Sequence, residues 1–301
     1  MTNTDDKEAI CDLFEALNRI IINNKDKEKL DFIKDNLDTL FSLNFWCFSP
    51  RDNYLDIDGD NDALVIPIYW LLWGDKLKEI DNNYNYNNFY YSDNDEDLTT
   101  TNKYRGDTIC TFNTIFSKAS LRWFNRQNFS RDIEKSTIPD YLTILHPFTG
   151  EELKEINDFR LLYQSIGNFY ILPNREKERT INFYRGNFNE WRDYFDLFLL
   201  NLDKELKGIG EEEMFHQIIK ANDFFFGKGK IDSLDKFISF FSLEDFKNLN
   251  FEKHYYYNYC KDDMIQDYHD FALSYIRTST KCINKRTEKL KQILKDKLKQ
   301  I

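Results

Sequence analysis

The sequence contains little glycine or proline and no long run of apolar residues. Only 10 Gly and 5 Pro occur among its 301 residues, which is too few turn-forming residues for an all-β sandwich. No apolar run approaches the roughly 20 residues that a membrane-spanning helix needs. The N-terminus "MTNTDDKEAI" is acidic, whereas a signal peptide is basic and then apolar. These absences predict a helix-rich cytoplasmic protein that makes no contact with a membrane.

The sequence also lacks the common signatures of metal, disulfide and nucleotide sites. Its five cysteines are odd in number and far apart, with no C-x-x-C pair, so neither a disulfide framework nor a zinc knuckle is indicated. The four histidines form no H-E-x-x-H motif, and no P-loop, G-x-S-x-G or dinucleotide fingerprint occurs. We therefore expect buried, reduced thiols and no cofactor, and whether the protein is an enzyme stays open.

Positive charge is scarce overall but concentrated at the C-terminus. The formal net charge is -11, from 41 Lys and Arg against 52 Asp and Glu, which argues against attraction of nucleic acid or anionic lipid by the whole surface. Beyond residue 280 the sequence becomes basic. We therefore predict that this segment can contact nucleic acid. The residues that would make it are Lys281, Lys285, Arg286 and Lys289.

What the sequence does contain is helical periodicity. Apolar residues at three- and four-residue steps predict amphipathic helices over residues 7–22, 30–43, 191–206 and 211–226. Residues 62–77 predict a buried helix that begins or kinks at Pro67, and residues 151–166 predict a further helix. "TICTFNTIF" (108–116) alternates and is rich in β-branched residues, as in a half-buried strand.

The last forty residues predict one long helix. From Asp262 onward no Gly or Pro interrupts a near-heptad rhythm of apolar residues. Such a helix could mediate self-association or bind a protein partner. We accordingly predict a mainly α (α+β) single domain over 1–301, a helical globule with a small β-sheet. It comprises an N-terminal helical extension (1–44), a core (45–260) and a long amphipathic C-terminal helix with a basic end (261–301).

"SIGNFYILPN" (165–174) carries structural breakers at both ends of a short apolar run. Gly167 can adopt the positive φ of a helix C-cap, and "FYILP" then forms a short strand that ends at Pro173, which donates no ladder hydrogen bond. Asparagine side chains readily satisfy the backbone of turns. We therefore predict a helix-turn-strand junction that is braced by Asn168, Asn174 and Asn182.

The order of motifs "HPFTG…SIGNFYILPN…TINFYRG" (146–186) is similar to the final part of HNH-type nuclease domains of restriction systems. The resemblance implies a histidine, here His146, that activates water while a divalent metal stabilises the charge that develops on a phosphodiester. Leu145 precedes His146, so the paired Asp-His or His-His of that motif is incomplete here. The alternative interpretation is a structural turn.

Six blocks taken together resemble an uncharacterised bacterial family of unknown function. They cover most of the chain from residue 44 and include "NFWCFSPRDNYLD", "IYWLLWGDKL", "GDTICTFNTIF", "SIGNFYILPN", "TINFYRG" and "RDYFDLFL". The polar residues of these blocks make Asp107, Asn182 and Arg185 candidate catalytic residues beside His146. Arg185 suits a bidentate grip on phosphate or carboxylate, and Asp107 would orient it or bind a metal. A buried Arg-Asp pair is the structural alternative.

Two functions remain open at this point. The first is a bacterial or phage cytoplasmic interaction or regulatory protein, which the absence of a complete catalytic motif and the long C-terminal helix favour. The second is a divergent HNH-like, metal-dependent nucleic-acid enzyme centred on residues 146–185.

Overall fold

The protein is mainly helical, with one small sheet. The computed structural model describes residues 4–22, 26–43, 65–82, 84–86, 104–110, 149–173, 195–211, 213–249 and 265–300. Of the residues described, 71% are helical, and they form nine α-helices and a two-stranded antiparallel sheet. This confirms the predicted fold class. No helix in these ranges is long and apolar enough to span a bilayer.

The nine helices are α1 (Thr4–Ile22), α2 (Lys27–Asp35), α3 (Leu37–Ser42), α4 (Ile66–Ile80), α5 (Gly150–Leu162), α6 (Phe195–Leu206), α7 (Glu213–Ala221), α8 (Leu234–Phe241) and α9 (Ile265–Leu298). The strands are β1 (Tyr104–Thr108) and β2 (Phe169–Pro173), and two 3₁₀ turns span Ile166–Asn168 and Glu244–Phe246. Helix α8 was not predicted from the sequence. Asn174, residues 62–64 of the helix predicted over 62–77, and residues 111–116 of the predicted strand lie outside the described ranges.

The single helix predicted over residues 30–43 is wrong, since the chain forms two helices that meet at Asn36. The Asn36 side chain donates to the Phe32 carbonyl at 2.9 Å, and its backbone N–H bonds the carbonyls of Phe32 and Ile33. Asparagine side chains compete for helical backbone groups in this way and so favour helix ends. Helices α2 and α3 are therefore separate, although both contribute residues to the core.

The sheet forms earlier in the chain than the sequence predicts. Strand β1 pairs antiparallel with β2 in the register Tyr104↔Pro173 to Thr108↔Phe169, so only Thr108 belongs to the strand predicted over 108–116. Ile109 and Cys110 bend away after it. Strand β2 has the predicted bounds, and all five of its residues are buried.

Helix α9 packs against many of the other described elements. It is 34 residues long and packs against α2, α3, α4, α5 and both 3₁₀ turns. Its buried apolar residues include Leu273, Tyr275, Ile276, Ile283, Leu290, Leu294 and Leu298. The near-heptad rhythm in the sequence is therefore satisfied within the chain, which removes the main reason to expect self-association through this helix.

Aromatic rings fill the core on the other side of β2. Tyr170 makes edge-to-face contacts with Phe195, Phe237 and Phe241, at ring-centroid distances of 5.6, 6.2 and 5.6 Å. Trp73 of α4 meets Phe241 at 5.8 Å. Such pairs add to the stabilisation that burial of the rings provides. They fix α4, α6 and α8 around the residues that follow the 3₁₀ turn at Ile166–Asn168.

Candidate functional site

Of the four candidate catalytic residues, the structure describes only Asp107. It lies half-buried on β1, and the Tyr170 hydroxyl donates to its Oδ2 at 3.1 Å. His146, Asn182 and Arg185 lie outside the described residues. The proposed grouping of these side chains, and the HNH-like activity that depends on it, therefore stay predictions.

Asn168 braces the junction between α5 and β2, as the sequence predicts. Its side chain is fully buried. Its Nδ2 donates to the carbonyls of Cys110 at 2.7 Å and Tyr163 at 2.6 Å, and its Oδ1 accepts from the Cys110 N–H at 2.9 Å. One amide thus ties the end of α5 to the end of β1.

The predicted positive φ of Gly167 is wrong. The described glycines with positive φ are Gly208, Gly227 and Gly229. Gly167 instead lies in the 3₁₀ turn, pressed against α9: a Cβ here would overlap Thr287 Oγ1 and come within 3.0 Å of the Ile283 carbonyl. Glycine is therefore needed for the close approach of the turn to the helix.

Arg286 of α9 lies at the centre of this junction. It is 1% exposed, and its Nη1 donates to the carbonyls of Gly167 and Phe169, both at 2.7 Å. On the other side, Nε and Nη2 donate to the Phe241 carbonyl at 3.1 and 2.9 Å. The guanidinium also lies 6.0 Å from the ring centroid of Trp73. Arg286 therefore joins α9, β2, α8 and α4.

The carbonyls at the C-terminus of α8 attract a second cation. Lys76 of α4 donates to the carbonyls of Phe240 at 2.6 Å and Ser239 at 3.2 Å. The last carbonyls of a helix lack intrahelical donors and carry partial negative charge. Burial lowers the pKa of Lys76, and it lowers the pKa of Arg286 to about 9. The buried Arg286 and the partly buried Lys76 thus both donate to carbonyls at this helix end, and these carbonyl acceptors offset part of the cost of burying the Arg286 guanidinium.

The predicted basic surface is largely engaged in ion pairs within the chain. Lys285 lies 3.0 Å from Asp245, and Lys289 lies 2.6 Å from Glu244. Lys281 is exposed. The assignment of Arg286 to a nucleic-acid surface is wrong, because the side chain is buried. The sequence does contain a signal for this burial. Arg286 lies three residues after Ile283 and four before Leu290, and that spacing places it on the buried face of the helix.

An open groove lies between α3, α5 and α9. Its volume is about 480 Å³. Leu161 lines it with 41% of its surface exposed, together with the buried Phe41 and the partly buried Leu162. The lining residues are Asp38, Phe41, Ser42, Asp158, Leu161, Leu162, Asn284, Thr287, Glu288 and Lys291. We call this surface the α3–α5–α9 groove.

The rim of the groove is acidic. It carries the carboxylates of Asp38, Asp158 and Glu288 and one ammonium group, that of Lys291. Lys291 Nζ lies 2.7 Å from Asp38 and 3.1 Å from Glu288. The hydrogen bond from Lys291 lowers the pKa of Asp38, and the bonds to Asp38 and Glu288 raise the pKa of Lys291. The rim thus carries three carboxylate side chains against one ammonium group, and negative charge prevails.

A second groove, of about 410 Å³, lies beside α6 and α7. Its floor includes Glu205, whose Oε1 is 2.5 Å from His216 Nδ1. The Glu205 side chain is 6% exposed and that of His216 is 58% exposed. Within the described part of the chain, no group of three or more His, Cys, Asp or Glu side chains is arranged to hold a metal.

The fold and these surfaces define a helix-rich protein whose described polar motifs brace its core and which presents one acid-rimmed apolar groove. Residues 143–290 match the model of a family of unknown function, DUF6994. The match confirms the predicted relationship to an uncharacterised family and includes α5, β2, α8 and Arg286. The blocks that precede residue 143 lie outside it. No curated protein and no solved structure matches the chain.

Proposed function

We propose that this is a cytoplasmic interaction protein of a bacterium or phage, which acts by binding another protein through the α3–α5–α9 groove. The observation that supports the proposal is the exposed Leu161, an apolar side chain in a concave site that is also lined by Phe41 and Leu162. Concave apolar surfaces with a polar rim are typical of protein-binding sites.

Two ion pairs join the helices that form the walls of the groove. Lys291 joins α9 to α3 through Asp38. Arg277 joins α9 to α5 through Glu155, with Nε 2.5 Å and Nη2 3.0 Å from the two carboxylate oxygens. A preformed site loses less conformational entropy when a partner binds than a mobile one does.

The state of the described cysteines supports a reducing compartment. Cys110 and Cys282 are buried thiols, and the Cys282 thiol donates to the Asp245 carbonyl at 3.3 Å. Burial raises the pKa of Cys282, which suppresses the reactive thiolate form. Free buried thiols of this kind are usual in cytoplasmic proteins.

Photo-crosslinking in cells tests the proposed function. A photoreactive amino acid replaces Leu161 in the groove or, as the matched control, Leu200 of α6, which is also 41% exposed. We expect a discrete protein adduct from position 161 that is absent from position 200. Adduct formation from position 161 should disappear when Asp158 and Glu288 are replaced by bulky tryptophan residues that fill the groove. Equal labelling from both positions, or none from position 161, would refute the proposed function.

A further inference from the structure

We infer that the partner segment that binds the α3–α5–α9 groove is a cationic amphipathic helix of another protein. This inference rests on the proposed function and specifies the chemistry of its partner. The surface combines three features on one face: an exposed leucine, walls made of helices, and an excess of carboxylates.

The shape of the groove favours a helical ligand. Its walls are α3, α5 and α9, and the sheet contributes no lining residue. Both strands of the sheet pair only with each other in the described residues, and β2 is buried. A ligand that adds a strand needs an open sheet edge, whereas a helix places apolar residues at i, i+3 or i+4, and i+7 into a groove between helices. The groove therefore fits a helix, with Leu161 and Leu162 contacting its apolar face.

The charges select a basic ligand. The side chains of Asp38 and Glu288 are 88% and 70% exposed, and Asp158 is exposed on the opposite wall without an ion pair to another described residue. Lysine or arginine residues that flank the apolar face of the ligand would meet Asp158 on one side and Glu288 on the other. Lys291 already shares its charge between Asp38 and Glu288, so it neutralises only part of this rim.

The same charges argue against the other candidate partners. The net charge of -11 repels nucleic acid, acidic peptides and a second copy of this chain at long range. A basic helix would instead be attracted over about 10 Å at moderate ionic strength. Complementary potentials of this kind increase association rates and exclude wrong partners.

Peptide binding to the full chain tests the inference. The probes are two amphipathic helices of about 20 residues, long enough to form stable helices, which share the same leucine positions and carry either lysine or glutamate on the polar face. Fluorescence anisotropy measures their affinities for the wild-type protein and for Asp158→Lys, Glu288→Lys and Leu161→Asp. The matched control is Glu211→Lys, the same charge reversal at an exposed residue outside the groove.

We expect the lysine peptide to bind and the glutamate peptide to bind far more weakly. Each charge reversal in the groove should weaken binding about fivefold or more at low salt, and the effect should shrink at about 0.5 M salt. Leu161→Asp should weaken binding at every salt concentration, and Glu211→Lys should have less than half the effect of Asp158→Lys on the logarithm of the affinity.

Several outcomes would overturn the inference: equal affinity for both peptides, no binding of either, or equal effects of Asp158→Lys and Glu211→Lys. A dimer that Leu161→Asp dissociates in light scattering would identify a second copy as the occupant and would also overturn it. If a specific adduct forms from position 161 while the charge variants bind normally, the interaction function stands and the basic-helix inference fails.

Discussion

Replacement of Arg286 by methionine tests whether the buried guanidinium holds the fold together. Methionine retains much of the volume but removes four hydrogen bonds to the carbonyls of Gly167, Phe169 and Phe241. A buried acceptor that loses its donor costs about 1–3 kcal/mol. Three carbonyls are affected, and removal of a buried charge offsets part of this cost. We therefore expect the free energy of unfolding to fall by about 3–5 kcal/mol.

Urea unfolding followed by circular dichroism provides the measurement. An unchanged dependence of the free energy of unfolding on urea concentration shows that the folded and unfolded states keep their compactness. The control is Arg277→Met on the same helix. The Arg277 side chain is 56% exposed and pairs with Glu155 at the surface, and exposed pairs of this kind contribute at most about 1 kcal/mol.

Arg286→Lys separates charge from geometry. Lysine keeps the positive charge, but its single ammonium group cannot reproduce the planar fork that reaches carbonyls on both sides. We expect a stability between those of the methionine variant and the wild type. If Arg286→Met unfolds within about 1 kcal/mol of Arg277→Met, or if lysine restores full stability, the role assigned to the guanidinium fork is refuted.

Two further predictions follow from close packing and from burial of phenols. Gly167→Ala should cost about 1–3 kcal/mol because its Cβ overlaps Thr287 Oγ1, and Thr287→Ala should recover part of that loss in a double-mutant cycle; additive effects would contradict the steric explanation. Burial raises the pKa of Tyr84 and Tyr104, whereas unfolded tyrosine ionises near pH 10, about its usual pKa. The folded chain then binds more protons above that pH, so the free energy of unfolding should fall as the pH rises from about 10 to 11. Tyr104→Phe should lose less stability over this interval than the wild type, and equal losses in calorimetry would count against the burial argument.

The elements predicted best are those whose signal is local. Helix α4 carries Pro67 in its first turn, and α9 runs without interruption through the stretch that lacks Gly and Pro. The spacing of apolar residues by three and four positions depends only on neighbouring turns of the same helix. Strand β2 was also predicted with its correct end, because Pro173 cannot continue the ladder.

The errors arose where distant residues decide the structure. Alternation in "TICTFNTIF" predicts a strand over residues 108–116, but strand pairing is set by the partner strand. Strand β2 pairs with residues 104–108, the chain bends at Ile109 and Cys110, and residues 111–116 lie outside the described ranges. A glycine after a helix can serve either for a positive φ or for close packing against another element. Only the contact of Gly167 with Thr287 and Ile283 shows that it serves for close packing. The α3–α5–α9 groove had no signal in the sequence, since its three walls are far apart along the chain.

The sequence by itself determined a helix-rich chain with a short buried strand, a long final helix and a relationship to an uncharacterised family, because composition, periodicity and motif order are properties of neighbouring residues. Only the tertiary structure decided the role of Arg286, which was counted with the basic C-terminal lysines. Its partners are carbonyls 45, 117 and 119 residues away along the chain. A guanidinium is stable in a core only where such acceptors converge, and that convergence is a property of the folded chain.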